Sequence, residues 1–482
     1  SKGGLMKTNL VMNSEISPKI TDQIDRGHHT HFMGIEGAGM FALAELFRQR
    51  GYLVSGCDLV PNENSEQLKL EGTKIYENHH ESHLSGVSSL VVSSAIPWDT
   101  PEIQEAIRLQ IPVLKRAEAL GQCVNHGQVL AISGTHGKTT TTAMATEILD
   151  IAGMNPTGIA GGHVFSWSGN LRHGGDLYVV EADEYDRSFL ELEPDIAVVT
   201  NIEADHLDCY RDLDEIISAF RQFLGSLPSD GTAVVCGDDR VAGRVLNGLE
   251  GRKVSYGLKP GAQLRATEVH QDEDGVSFTL MEQGTNCGRF GIKSLGLHNL
   301  QNSLAAVASS RCLGVSWEDI REGLHSYEGV KRRFEIIGFH RDVLIVDDYA
   351  HHPSEVMATL VAARKSYPNR RIVALFQPHL FTRTKDFASE FGDSLLVADE
   401  IWVTDVFASR EDPIEGVTGG LIASSIEDSG RAVRYHADMN TLSESLIQFL
   451  KPGDLIITLG AGSIRQISEE IKVLLQGGDL NE

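Results

Sequence analysis

Short runs of β-branched and aliphatic residues recur along this chain, each followed by glycines or charged residues and then by apolar positions three and four apart. Apolar strand, polar loop and amphipathic helix in repeated succession predict an α/β fold on largely parallel sheets, with ligands at the carboxyl ends of the strands. A first block opens with HFMGIEGAGM (31–40), passes through a helix to about Arg50, and continues with LVSGCDL (53–59), LVVSSAI (90–96) and IPVLKR (111–116) as further strands, a Rossmann-like unit. A second block contains VLAISG (129–134), DLYVVEAD (176–183), DIAVVTNI (195–202) and TAVVCGDD (232–239). Residues 253–297 alternate more regularly and predict an antiparallel appendage. A third block, again Rossmann-like, runs through DVLIVDDYAHHP (342–353), RIVALFQPHLFTRT (371–384), EIWVTDVFA (400–408) and DLIITLGAGS (454–463). The expected division is a flexible tail over 1–28 and domains over 29–125, 126–328 and 329–482.

Length agrees with several domains, since 482 residues exceed what one hydrophobic core usually serves. The balance of 42 basic against 67 acidic residues leaves a net charge of −25, which disfavours nucleic acid as a partner. No apolar run is long enough for a membrane-spanning helix. The six cysteines, at 57, 123, 209, 236, 287 and 312, show no CxxC spacing, so neither a zinc site nor a disulfide framework is expected, and a reducing cytoplasm is the simplest setting.

Chemistry concentrates in ISGTHGKTTTT (132–142). A Walker A loop needs Gly, four residues and Gly-Lys-Ser/Thr, but here Ile132 stands where the first glycine belongs, so the loop is two residues short. Its physical context is nevertheless that of an anion site. A buried strand ends at Gly134, and Gly137 precedes a helix whose first amides and dipole favour phosphate; Lys138 supplies charge and Thr139 suits Mg²⁺. Carboxylates follow two neighbouring strands, in EADEYD (181–186) and NIEADHLD (201–208), with Glu181 and His206 the expected metal ligands. Taken singly, each acidic segment reads equally well as a solvated loop.

GTHGKTTTT, EADEYDRSF, TNIEADHLD, GLHNLQN, KRRFE, VDDYAHHPSE and FQPHLFTRT, in that order, resemble the motifs of the Mur ligases from about Thr30 to the last helix. The resemblance implies an ATP-dependent amide ligase of three domains, binding in turn a UDP-sugar, ATP and an amino acid. The implied reaction joins L-alanine to the lactyl carboxylate of UDP-N-acetylmuramate through an acyl phosphate, in cytoplasmic peptidoglycan precursor synthesis. The implied alternative is the ligase that recycles murein tripeptide. The implied cofactors are ATP and two Mg²⁺, with Mn²⁺ able to substitute, and the implied state is a monomer or weak homodimer.

By the same resemblance, Gly134, Thr135, His136, Gly137, Lys138, Thr139 and Thr140 form the ATP loop. Thr139 and Glu181 hold one Mg²⁺ and His206 the other. His298, Asn299 and Asn302 face adenine, Asp347 the ribose, and Arg333 reaches the γ-phosphate on domain closure; from residue pattern alone, Asn and His equally cap a helix beginning at about Gln301. Tyr349, His351, His379 and Arg383 surround the amino acid, with His351 near the reaction centre. Gly34, Gly37, Ala38, Gly39, Met40, Asp58 and Ser94 line the UDP-sugar site. Two departures from the family pattern bear on these roles. Glu36 stands where a glycine is usual and must turn away from the diphosphate, and Leu380 replaces a more usual arginine.

Overall fold

The computed structural model describes residues 27–60, 63–94 and 96–477; the tail expected over 1–28 lies outside these except for its last two residues. The chain divides into two compact bodies. One runs to residue 266 and takes in 280–287 and 301–328; the other comprises 267–279, 288–300 and 329–482.

The first body begins with a five-stranded sheet of β1 (His29–Met33), β2 (Leu53–Cys57), β3 (Lys74–Tyr76), β4 (Ser89–Val92) and β5 (Val113–Lys115), in the order β3-β2-β1-β4-β5. All its pairings are parallel, so each strand returns through a crossover and the loops after the strands gather on one edge. Gly37 precedes the helix Ala38–Gln49, whose inward residues Met40, Leu43, Leu46 and Phe47 are buried at helical spacing.

The second sheet has ten strands: β6 (Gln128–Ser133), β7 (Thr157–Val164), β8 (Gly169–Arg172), β9 (Leu177–Glu181), β10 (Ile196–Val199), β11 (Thr232–Cys236), β12 (Arg252–Gly257), β13 (Leu264–Asp272), β14 (Gly275–Glu282) and β15 (Thr285–Ile292). Their order is β15-β14-β13-β12-β11-β10-β6-β9-β7-β8. The expected antiparallel appendage begins later than residue 253. β12 still pairs parallel to β11, with Val234 opposite Val254, and the two-residue connections that only antiparallel neighbours allow begin after β13. β6 lies between β10 and β9 in parallel register, Ile132 opposite both Val198 and Glu181. The loop after β6 is therefore flanked by the ends of both acidic strands.

The first two sheets share one apolar core, in which Phe32 and Leu43 join Val129, Tyr178, Phe220 and Phe223. Phe189 stacks on Phe223 at 4.7 Å and meets Phe220 edge-on at 5.1 Å; burial of each ring contributes about 2–3 kcal/mol. Arg50 crosses from the first sheet's helix to the second sheet. It donates to Tyr178 Oη (2.9 Å), Thr157 Oγ1 (3.0 Å), Gly174 O (3.2 Å) and Gly175 O (2.9 Å).

The second body carries β16 (Glu335–His340), β17 (Val343–Asp348), β18 (Arg371–Phe376), β19 (Glu400–Val403), β20 (Arg434–Tyr435) and β21 (Asp454–Leu459), in the order β16-β17-β21-β18-β19-β20. Only β16 runs antiparallel, with a register shift between Ile336 and Gly338. Apolar layers on both faces of this sheet explain the near-continuous apolar runs of β17, β18 and β21.

Candidate functional site

The shortened loop keeps its shape through the strands beside it. Thr135 N donates to Asn201 O (2.9 Å), His136 N to Asn201 Oδ1 (2.7 Å), and Glu203 N to Thr135 Oγ1 (2.8 Å). Gly134, at φ +137°, passes so close to Thr200 that a Cβ would collide with Thr200 Oγ1, and Gly137, at φ +85°, is similarly closed in by Asn302. These glycines permit a backbone that L residues resist. The helix Lys138–Ile151 starts here, and its first turn leaves the amides of Lys138, Thr139 and Thr140 without intrahelical acceptors.

The side chains of that first turn meet the acidic strand ends. Thr139 Oγ1 donates to Glu181 Oε2 (2.8 Å), which also accepts from Gly161 N (2.6 Å). Lys138 Nζ is held by Gly134 O (2.8 Å) and by Glu184 Oε2 (3.0 Å), with Asp183 Oδ1 at 4.0 Å. Glu184 reaches the other way to His206 Nε2 (3.2 Å). Its side chain is only 3% exposed, so one buried carboxylate links two cationic groups.

Burial works against the charge on Lys138, but Glu184, Asp183 and Glu181 outweigh it and hold its pKa above the usual value. The same balance raises His206: desolvation opposes protonation, whereas the bond to Glu184 and the charges of Asp205, Glu184 and Asp183 favour it. Desolvation pushes Glu184 up, and Lys138 with His206 brings it below the ordinary carboxylate value. His206 adopts φ +53°, a strained conformation that turns its ring toward this cluster. Asp183, Glu184 and His206 bring their ligand atoms within 4.8 Å of one another, oxygen-rich and suited to a hard divalent cation.

At the carboxyl edge of the first sheet, Gly34 (φ +79°) and Gly37 turn the chain into the helix containing Ala38, Gly39 and Met40, and Ser94 follows β4. Asp58, expected at the uridine, has both oxygens engaged by backbone amides, Glu36 N (3.1 Å) and Val60 N (3.2 Å); it closes the end of its strand. Glu36 is buried rather than turned to solvent. A residue the motif reading passed over also lies here. A Cβ on Gly39 would come within 2.8 Å of Arg116 Nε, a buried nitrogen without a hydrogen-bond partner among the described residues. Desolvation lowers the pKa of Arg116, opposed by the charges of Glu181 and Asp183.

In the second body, Tyr349, His351, His379 and Arg383 form one cluster. The Tyr349 and His351 rings are 5.1 Å apart, His351 and His379 6.0 Å, and Arg383 Nη1 is 3.1 Å from His379 Nδ1. Leu380 starts the adjoining helix at φ +71° with its side chain 4% exposed, so the position serves the core. Arg333 lies 5.1 Å from the Tyr349 ring centre and 3.7 Å from Glu355, whereas Arg332 turns inward. Asp347, expected at a ribose, is fully enclosed. It accepts from Arg332 Nε (3.0 Å) and Thr458 Oγ1 (2.7 Å) and pairs with Arg465 (3.4 Å), bracing the two arginines. The helix expected from about Gln301 begins at Leu297, which puts His298 and Asn299 in its first turn and Asn302 on the next; Asn299 Nδ2 donates to Leu295 O (2.9 Å).

Three family models match in succession: Mur ligase family, catalytic domain, over residues 29–128; Mur ligase middle domain over 132–310; and Mur ligase, glutamate ligase domain, over 332–462. The UDP-N-acetylmuramate–L-alanine ligase of Salinibacter ruber is 42% identical over 456 residues, covering 94% of this chain and 96% of the relative. The chain belongs to the Mur ligase family. Its three sheets form the three-domain Mur ligase fold. The ligase of the same name from Geotalea uraniireducens is 42% identical across 93% of this Mur ligase and 98% of its own length. Among solved structures, a UDP-N-acetylmuramate–alanine ligase from Thermotoga maritima superposes with a TM-score of 0.78 at 27% identity, covering 93% of this chain and 99% of its own. A murein peptide ligase from Psychrobacter arcticus gives 0.66 at 25% identity, with the same coverages. No helix of the described residues is long and apolar enough to cross a membrane.

Proposed function

We propose that this Mur ligase joins L-alanine to the lactyl carboxylate of UDP-N-acetylmuramate with conversion of ATP to ADP and phosphate. The observation that carries the phosphate chemistry is the loop from Gly134 to Thr140, with Lys138 drawn between loop carbonyls and Glu184 and Thr139 seated on Glu181. The names of relatives that are 42% identical across nearly their whole length supply the substrates.

The triphosphate lies against the amides that open the helix Lys138–Ile151, and Lys138 exchanges Glu184 for the β and γ phosphates. Thr139 and Glu181 hold one Mg²⁺; His206, with the carboxylates of Asp183 and Glu184 beside it, holds a second. The oxygen atoms gathered there fit such ions, which when bound supply the positive charge that screens a carboxylate from a triphosphate. The lactyl carboxylate attacks the γ-phosphorus and ADP leaves, giving an acyl phosphate. The amine of L-alanine then adds to the acyl carbon, loses a proton, and phosphate departs from the tetrahedral intermediate as the amide forms.

Arg333, not locked into the fold as Arg332 is, contacts the γ-phosphate. His379 and Arg383 take the amino-acid carboxylate with charge-assisted hydrogen bonds, near Tyr349 and His351. His298, Asn299 and Asn302 meet the base. Gly34, Gly37, Gly39 and Ser94 receive the UDP-sugar, with Arg116 facing its anionic part.

Phosphate release by purified protein with ATP and Mg²⁺ should require both UDP-N-acetylmuramate and L-alanine. ATP hydrolysis indifferent to both substrates refutes the ligase reading. Faster turnover with murein tripeptide than with L-alanine assigns the recycling reaction instead.

A further inference from the structure

Beneath the first sheet's carboxyl edge, four chemically reactive side chains converge in the protein interior. His31 comes from β1, Cys57 from the last position of β2, His83 from the short turn Glu81–Leu84, and Glu102 from the first turn of the helix Pro101–Arg108. All four are buried, His31, Cys57 and Glu102 at 0% exposure. One ligand atom from each lies within 4.8 Å of all the others. Cys57 Sγ is 3.4 Å from Glu102 Oε2, His31 Nε2 is 3.9 Å from Glu102 Oε1, and His83 Nδ1 contacts Glu102 Oε1 directly. His79 flanks the group, its Nδ1 at 3.3 Å from Cys57 Sγ and 3.2 Å from Glu102 Oε2.

A hydrogen-bonded network accounts for part of this arrangement. Glu102 accepts from His83, from the Cys57 thiol and from His80 N (3.1 Å), which offsets the burial of its carboxylate. It does not account for His31. That imidazole has Nδ1 against Ser55 Oγ at 2.8 Å, while Nε2 faces the cluster, fully buried and without a hydrogen-bond partner among the described residues. The tautomer that donates from Nδ1 to Ser55 Oγ presents the Nε2 lone pair inward, the posture of a metal-ligating histidine held by an outer partner.

We propose that His31 Nε2, Cys57 Sγ, His83 Nδ1 and Glu102 form a structural Zn²⁺ site, separate from the proposed nucleotide site. One thiolate and one carboxylate neutralise a divalent ion in the buried pocket, and two imidazoles complete four-coordination. Ligand bonds of about 2.0–2.3 Å around a tetrahedron put ligand atoms roughly 3.3–3.8 Å apart. The Cys57–Glu102 and His31–Glu102 separations lie in or beside that range. Sulfur and imidazole donors select zinc over the Mg²⁺ expected at the oxygen-rich loop. On binding, the Cys57 S–H proton passes to solvent and the thiolate electron pair to the ion. His79 then donates toward the Cys57 sulfur. The site ties together β1, β2, the turn after β3 and the helix Pro101–Arg108, so it fastens the sheet that carries Gly34 and Gly37.

The test uses the full chain, free of any affinity tag and purified without chelator. Elemental analysis should find one tightly held zinc per chain. After exchange with Co²⁺, the spectrum should show tetrahedral ligand-field bands and a near-ultraviolet thiolate-to-cobalt band. Cys57→Ser should lose the thiolate band, Cys209→Ser should keep it, and His83→Asn should weaken Zn²⁺ binding by more than about 100-fold with the circular dichroism unchanged. Absence of tight zinc together with absence of a thiolate–cobalt band in the parent protein overturns the proposal. So does a band that survives Cys57→Ser, or zinc affinity unaltered by His83→Asn.

Discussion

Replacing Glu184 with Gln probes the electrostatics of the loop directly. The carboxylate is 3% exposed and lies 3.0 Å from Lys138 Nζ and 3.2 Å from His206 Nε2. At an effective dielectric of about 20, each contact represents roughly 5 kcal/mol of attraction. Burying the carboxylate costs several kcal/mol, and removing one partner of a buried pair typically costs about 3–5 kcal/mol on balance. Glutamine keeps the shape and one acceptor, and Lys138 retains Gly134 O at 2.8 Å, so the lower end is expected: about 3 kcal/mol at pH 6. The assay is urea unfolding without nucleotide, followed through the transition of the first body by hydrogen exchange at the helix Lys138–Ile151. Saturating Mg-ATP should narrow the deficit, because the triphosphate replaces Glu184 as the counter-charge of Lys138. A Glu184→Gln protein within 0.5 kcal/mol of the parent would refute the claim that this carboxylate holds both cations (the threshold being about the scatter of surface substitutions).

His206→Asn should destabilise most between about pH 4.5 and 6.5. The raised pKa of His206 contributes stability present below its unfolded value and lost as pH rises through the folded one, and the lowered pKa of Glu184 contributes stability lost as pH falls through its folded one. A deficit that stays the same from well below pH 4.5 to well above pH 6.5 contradicts this. Gly137→Ala forces a Cβ against Asn302 at φ +85° and should lower stability by about 1–3 kcal/mol and weaken ATP binding, measured by calorimetry. Arg116→Ala should raise KM for the UDP-sugar while leaving KM for ATP near the parent value; equal KM values for the sugar remove Arg116 from that site. Arg50→Ala leaves four acceptors without their donor and should cost about 2–4 kcal/mol, seen as earlier melting of the first body.

The strands legible in the sequence were those buried on both faces. VLAIS, LYVVE, IAVV and VLIVDD are apolar at nearly every position because layers cover both sides of their sheets, and their ends carry the loop, Glu181, Asn201 and Asp348. Edge elements had no such signature: KIY, GNLR, EIIGFH and RY form β3, β8, β16 and β20; nor had the interior but glycine-rich TGIAGGHV, which forms β7. Their pairing is decided by the neighbouring strand rather than by a pattern of their own.

Side-chain surroundings divide in a similar way. Lys138 and Thr139 are anchored to a backbone turn close to them in sequence. Other residues have their surroundings completed by distant segments. Asp347 and Arg332 are only fifteen positions apart, but Arg465 and the carbonyls of Gly460, Ala461 and Gly462 complete their enclosure from the far end of the chain. Cys57 is the sharper case. Spacing among cysteines is informative when the ligands share a turn, whereas here the sulfur's neighbours come from positions 31, 79, 83 and 102 and only one of the cluster is a cysteine. A parallel sheet brings such positions together because β1 and β2 end, and the crossovers after β3 and β4 begin, at one edge. The topology that gathers the loops after the strands therefore also assembles the buried histidine, cysteine and glutamate, and both arrangements are consequences of the same strand order.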